Sequence, residues 1–454
     1  MLNKLIINTG VLAIPGFVSI VVSLASIPIH LNIAGPESYG NFIIFHFILL
    51  FAVNLNFGIG KSTAISINNY PKYSSKISYK ALIYTRNIIF YLFILTLLIY
   101  IFDKLFFSYI FKFYGLTNYL IFGSVITILY ITFEGIFQGF KKFKLISLFN
   151  LIFYSLSFSV PSILLILKED LSLDQLILIS IIFKFLTICL MILYIYLKKL
   201  VEKSNNNILY KNLIKNSKWI TLNSILIQFY DLFDKYLLKI FLGPISLAIY
   251  SIPQQLTGKL SIISKSLSFF LLPNLSRNRS KKEFNLSLEI MMKFFPIILF
   301  FLMPFYELLL KFWLGSTFNN NILNLTKIFS ISVILSCASH ILITEFEASK
   351  TLKKNLKIEI ILMPFFLFFL FFLISKNYSL IHISLLILSK ELILFIMRLS
   401  LLKKRIYEVK KYFLLPFIFI TFLFLSFFNS YLFYLSIFIF LVYLLNEKLK
   451  FRGI

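Results

Sequence analysis

The chain has 454 residues, 59% of them apolar and 14% charged, with a formal net charge of +27. A soluble domain averages about a quarter charged residues and under half apolar, and the excess here runs from end to end, so a water-soluble enzyme or binding module is excluded. The cationic balance would suggest nucleic acid in a soluble protein, but these lysines stand in short clusters between apolar runs, as orientation signals in a membrane protein do.

Taken in chain order, the apolar runs are about 20 residues long, the length at which a helix crosses a ~30 Å hydrocarbon layer. They lack the alternating polarity of transmembrane barrel strands. Lys4 and the stretch after it offer no small-residue cleavage site, so the first run reads as a retained helix and not a signal peptide. Helices are predicted over 9–32, 39–60, 81–102, 117–139, 145–167, 173–197, 218–242, 245–272, 286–310, 322–346, 357–375, 379–402, 412–428 and 431–447, about fourteen transmembrane helices in all. Asn429 and Ser430 separate the last two.

Charge tests this layout independently. With both termini placed in the cytoplasm, the inside segments hold 31 Lys and Arg, and the outside loops hold 5: Lys104, Lys112, Lys168, Lys311 and Lys376. Deleting one helix would swap the side of every later loop, so the alternation favours an even number of spans. Cys189 and Cys337 fall inside apolar runs without metal or redox spacing and read as structural. No metal and no cofactor are expected, and no Gly-rich nucleotide loop appears.

The two halves of the chain echo each other. Gly35-Pro36-Glu37-Ser38 follows the first helix and Gly243-Pro244-Ile245-Ser246 follows the seventh, 208 residues on. Phe137-Gln138-Gly139-Phe140-Lys141 ends the fourth helix, and Phe346-Glu347-Ala348-Ser349-Lys350 ends the tenth, 209 residues on. An offset of six helices keeps direction, so the repeat is parallel, with its pseudo-twofold axis along the membrane normal. The expected fold is an all-α polytopic membrane protein with two six-helix lobes, 1–203 and 204–402, and an extra pair of helices in 403–454. Gly35 and Gly243 close short turns, by turn chemistry alone or as hinges. Lobes of this kind suit alternating access about a substrate held near mid-membrane.

Nine cations remain inside predicted helices: Lys184, Lys235, Lys239, Lys259, Lys265, Lys293, Lys327, Lys390 and Arg398. Each costs roughly 2.5–3.5 kcal/mol at a helix centre. Lys293, Lys327 and Arg398 lie near helix ends and are expected to snorkel to the headgroups. Lys184, Lys259, Lys265 and Lys390 sit deeper and should face a wet cavity or a carboxylate. The seventh helix carries Gln228, Asp231, Asp234, Lys235 and Lys239. Asp231 and Lys235 stand one turn apart; they form either a buried structural pair or part of a lumen site that binds anions or exchanges a proton. The eighth adds Gln254, Gln255, Thr257, Lys259 and Lys265, and the second offers His46, Asn54, Asn56 and Lys61. Lys390 and Glu391 are adjacent and so point to different helix faces, with one of them meeting another helix. A net-positive interior implies an anionic cargo. The substrate contacts expected are Lys259, Lys265, Lys184, Lys61, Gln254 and Asn56; the ion-coupling candidates are Asp231, Asp234, Glu391 and Glu134.

With this organisation the chain resembles the polysaccharide repeat-unit (O-antigen) flippases of the multidrug/oligosaccharidyl-lipid/polysaccharide exporter superfamily. The local signals are Gly35-Pro36-Glu37-Ser38-Tyr39-Gly40, Asp234-Lys235 with Gly243 and Tyr250, Phe137-Gln138-Gly139, and Trp313-Leu314-Gly315. The resemblance implies a bacterial inner-membrane transporter that moves an undecaprenyl-diphosphate-linked oligosaccharide to the periplasmic leaflet, driven by a proton or sodium gradient. Its partners would be that lipid-linked sugar, the membrane lipids, and polymerase and chain-length proteins of the same pathway, with no nucleic acid. The rivals are a multidrug exporter of the same fold and a membrane polymerase or ligase. An exporter of organic cations would want a negative lumen, and an enzyme of this type would be expected to carry a large outer loop or a pair of outer acids, where Asp103 instead stands beside Lys104.

Overall fold

The computed structural model describes residues 2–29, 33, 57–106, 117–168, 171–204, 207–278, 280–315, 318–376 and 378–406, together with Leu415, Ile418, Phe419 and Thr421. Among these residues all regular structure is helical. In chain order the helices are α1 (Leu2–Ile29), α2 (Ile59–Asn69), α3 (Ser74–Phe106), α4 (Thr117–Gly139), α5 (Phe143–Leu167) and α6 (Leu173–Leu197). They continue as α7 (Asn207–Gly258), α8 (Ile262–Asn278), α9 (Lys281–Leu314), α10 (Asn320–Ala348), α11 (Leu352–Ser375) and α12 (Leu380–Leu401). Seven described stretches are long and apolar enough to cross a membrane: Ile121–Gly139, Phe143–Leu167, Asp174–Leu197, Lys281–Leu314, Asn320–Ala348, Leu352–Ser375 and Leu380–Leu401. They coincide with the predicted spans four to six and nine to twelve. Most of the predicted span 39–60, and nearly all of 412–428 and 431–447, lie outside the described residues.

Exposure fits a bilayer. On α11, Phe365, Phe368, Phe369, Phe371 and Phe372 are exposed, and on α6 so are Phe185, Leu193 and Leu197. In water such stripes would be aggregation patches; in hydrocarbon they are the lipid face.

The chain divides into two compact units, Met1–Ile225 with Leu272–Asn278, and Leu226–Leu271 with Arg279–Ile454. In the first, α2 and α4 meet backbone to backbone. Gly135 and Gly139 form a small-xxx-small pair on α4, and a Cβ on Gly135 would fall onto the Gly60 carbonyl oxygen. Asn68 Nδ2 then donates to the Gly139 carbonyl across the same contact at 3.0 Å. In the second unit α10 is the central helix, buried on nearly every face, its polar Ser330, Ser339, Thr344 and Glu345 included. Tyr250, Phe329, Phe366 and Ile387 join α7, α10, α11 and α12 in one apolar cluster.

The sequence repeat has a structural counterpart. At the end of α4, Lys141 is left-handed (φ 58°), its N–H bonds Gln138 O at 3.0 Å, and Lys142 N–H bonds Phe137 O at 2.9 Å. At the end of α10, Lys350 is left-handed (φ 58°), its N–H bonds Glu347 O at 3.2 Å, and Thr351 N–H bonds Phe346 O at 3.0 Å. Both are the same Schellman cap, which satisfies the orphan carbonyls of a helix end. The turn expected at Gly243 is a break in α7, with φ 81° and ψ 172°, a region open in practice to glycine alone.

Among the described residues four irregularities lie inside predicted continuous helices, one of them a 3-10 turn at Met303–Phe305. π segments occupy Leu151–Leu156 and Ile290–Phe294, close on the N-terminal side of Pro161 and Pro296. A proline ring clashes with the carbonyl one turn back and offers no N–H, which is a known cause of such disruption. A 3-10 turn at Lys259–Ser261 separates α7 from α8, where the prediction had one helix over 245–272.

Candidate substrate and ion sites

The first unit holds a polar cluster built by α4, α5 and α6. Asn150 Nδ2 donates to Glu134 Oε1 at 3.3 Å, and Asn150 Oδ1 accepts from the Tyr130 hydroxyl. Tyr130 stacks on Phe153 at 3.8 Å between ring centroids. The buried Lys184 ammonium lies 5.5 Å from the Phe153 centroid, a cation–π placement that offsets part of its lost hydration. Lys184 was expected to face water or a carboxylate; an aromatic face takes that place, and among the described residues no carboxylate comes within ion-pair distance. Lys61 is exposed at the start of α2. Asn56 and His46 lie outside the described residues.

The second unit holds more charge. Asp234 is buried and accepts from the Tyr250 hydroxyl at 2.6 Å and from Lys235 N–H at 2.6 Å. The two partners stand on either side of the Gly243 break, so this bond clasps the two arms of α7 together. The side chains of Gln228, Asp231 and Lys239 are outside the description, and with them the expected Asp231–Lys235 pair. Gln254 is half-buried, with its Oε1 atom buried and unbonded among the described residues. Lys259 is half-buried and Lys265 exposed.

Three expectations about charge are corrected. Lys293 does not snorkel: it is 3% exposed and pairs with Glu289 one turn away. Arg398 does not snorkel either: at 3% exposure it bonds Glu359 and, through Nε at 2.8 Å, Asn355 Oδ1 of α11. In both cases a helix-end position suggested the headgroups, and a carboxylate within reach won because it leaves no buried charge unpaired. Lys390 and Glu391, though adjacent, do meet, at 3.0 Å; their side chains are long enough to close the angle between neighbouring helix positions. Lys390 also reaches α11, 5.2 Å from the Phe366 centroid, so the expected contact with another helix is present as well.

Sequence reasoning passed over His340, which is half-buried on α10 with Nδ1 2.9 Å from Ser264 Oγ on α8. The signal was available: His340 is an imidazole inside a predicted span, flanked by Ser339 and, one turn back, Cys337. It also passed over the pairing of Arg405 with Glu345 at 2.9 Å, which ties the segment after α12 to the end of α10.

The sequence profile described as "Polysaccharide biosynthesis protein" matches residues 5–279, more than half of the chain. The chain belongs to this family. A Shigella flexneri protein named "Putative O-antigen transporter" is 25% identical over 172 residues, which span 37% of this chain and 41% of that protein. Among solved structures, a Vibrio cholerae MATE transporter in the bent form matches with a TM-score of 0.70 at 13% identity, covering 90% of this chain and 99% of that one. A MOP superfamily transporter from Pyrococcus furiosus matches with a TM-score of 0.71 at 14% identity, covering 89% and 96%. At such identities the likeness is one of fold. This member of the polysaccharide biosynthesis family is therefore a multi-pass, all-α membrane protein with the fold of the MOP superfamily transporters.

Proposed function

We propose that the chain is a flippase. It moves an undecaprenyl-diphosphate-linked oligosaccharide repeat unit from the cytoplasmic to the periplasmic leaflet of a bacterial inner membrane, for O-antigen, capsule or exopolysaccharide. The observation that carries this reading is the run of polar and cationic residues in α7 and α8, where Gln254, Thr257, Lys259, Ser264 and Lys265 interrupt apolar helices. A cation in hydrocarbon is costly unless it serves a cavity or a partner, and a diphosphate headgroup is a cargo that such residues attract. Family membership over residues 5–279 supports the pathway.

In this reading Lys259, Lys265, Lys184, Lys61, Gln254 and Asn56 meet the cargo. Asp231, Asp234, Glu391 or Glu134 couples its movement to a proton or sodium gradient. The lobes 1–203 and 204–402 are the bodies that rock, both termini are cytoplasmic, and the chain acts as a transporter without catalysis. Deleting the gene in its host tests this directly. Lipid-linked repeat units should accumulate in the inner membrane while surface polysaccharide disappears. Unchanged surface polysaccharide, or loss without accumulation of lipid-linked units, would count against a flippase. A drug exporter is supported by the shared fold alone, and the cationic run disfavours organic cations.

A further inference from the structure

The break between α7 and α8 lies beside a group that no part of the proposed machinery uses. The 3-10 turn Lys259–Ser261 interrupts the i→i+4 ladder, and short 3-10 stretches inside long helices often mark hinges. Ser264 Oγ stands 2.9 Å from Ser261 O, at that turn, and 2.9 Å from His340 Nδ1 on α10. A hydroxyl has one hydrogen to give. When the imidazole is charged, Nδ1 carries a proton and must donate to Ser264 Oγ, which leaves the hydroxyl hydrogen for the Ser261 carbonyl. When the ring is neutral with its proton on Nε2, Nδ1 becomes an acceptor, Ser264 can turn toward it, and Ser261 O then loses the hydrogen bond from this hydroxyl. The charged ring removes Nδ1 as an acceptor of that hydrogen; the neutral ring restores it as a competitor of the Ser261 carbonyl.

Among the described residues, other polar atoms on the same elements lack partners. Gln254 Oε1, Ser268 Oγ and Ser339 Oγ, on α7, α8 and α10, are buried with no hydrogen-bond partner among the described residues. Orphaned buried polar atoms are costly, so these sites call for water or a polar cargo. Charged and titratable groups on the same elements include Lys259 at the turn, Lys265 on α8, Cys337 one turn back on α10, and the Lys390–Glu391 pair on α12. Farther along, Asp234 on α7 is held by Tyr250, Glu359 on α11 by Arg398, and Glu289 on α9 by Lys293.

We propose that His340 is a proton-binding group whose charge sets the hydrogen bond from Ser264 to Ser261, and so ties proton binding in the second unit to the turn that carries Lys259. The cargo role of Lys259 rests on the flippase reading; the link between His340 and the turn does not.

The test therefore uses the full-length protein in lipid nanodiscs without cargo. Imidazole ¹⁵N signals are followed from pH 5 to 9, and His340→Gln assigns the relevant one. If that variant fails to fold, a variant lacking His30, His46 and His382 leaves His340 as the sole source of signal. The His340 signal should pass from neutral to protonated within this range, and Ser264→Ala should move its midpoint. Amides of 255–266, corrected for intrinsic exchange, should exchange about 3- to 10-fold more slowly at pH 5 than at pH 8, the factor one hydrogen bond contributes, and that difference should vanish in Ser264→Ala. A signal that stays constant across the range, or a pH effect on 255–266 that persists in Ser264→Ala, would overturn the proposal while leaving the flippase reading intact.

Discussion

Arg398 and Lys259 represent two uses of a cation inside an apolar helix. Arg398 is sealed against Glu359 and Asn355, so its removal strands a buried carboxylate. Arg398→Ala is expected to cost about 3–5 kcal/mol and to be read as loss of folded protein from the membrane. Replacing both partners, as Arg398→Met with Glu359→Leu, should recover part of the folding, since no buried charge is then left unpaired. Lys259, half-buried at a helix break, should behave oppositely. Lys259→Ala should leave the protein folded and abolish surface polysaccharide. Full complementation of a flippase deletion by Lys259→Ala at normal expression would remove this residue from the cargo contacts. The sequence revealed that nine cations stood in the spans but not which were sealed. For Arg398, sealing depends on a carboxylate of another helix, and periodicity along one helix carries no such information: Arg398 and Glu359 are 39 residues apart.

At the scale of helices, two glycines hold the geometry for different reasons. Gly135 lets α4 lie against Gly60 of α2, and a methyl group has no room there. Gly135→Ala should therefore cost about 1–3 kcal/mol as overpacking, measurable as a fall in thermal stability of the purified protein. At Gly243 nothing lies near a would-be Cβ, and the constraint is the backbone itself, with φ 81°. Gly243→Ala should cost about 1–3 kcal/mol through strain alone, with the Asp234–Tyr250 clasp across the break as the contact most exposed to the change. Spans four to six and nine to twelve were legible, because runs of about 20 apolar residues admit little else in a bilayer, whereas most of the helical stretch Ile59–Asn69, together with 74–80 and 207–217, fell in segments read as loops between spans. The Schellman caps at Lys141 and Lys350 were legible as a repeat because a left-handed cap selects its local sequence at both copies. The π segments and the 3-10 turns were not legible. A proline signals that a ladder is disturbed, whereas the form of the disturbance is set by what packs against it.

For the molecule as a whole, the charge asymmetry of 31 to 5 predicts a topology. Loops near 37, 170 and 315 should be periplasmic, and those near 142, 205, 280 and 354 cytoplasmic. Single cysteines introduced at these positions, in a background without Cys189 and Cys337, report this through an impermeant thiol reagent. Labelling of position 205 in intact cells would contradict the layout. The family and the fold together set the central claim, which is movement of a lipid-linked sugar across the bilayer. The most direct measurement reconstitutes the purified protein into vesicles holding a fluorescent undecaprenyl-diphosphate oligosaccharide and follows its loss from one leaflet under an imposed proton or sodium gradient. The account predicts flipping that requires the protein, is accelerated by the gradient, and loses that acceleration in one of Asp231→Asn, Asp234→Asn, Glu391→Gln or Glu134→Gln. Vesicles that flip this lipid no faster with the protein than without it, under either gradient, would contradict the account.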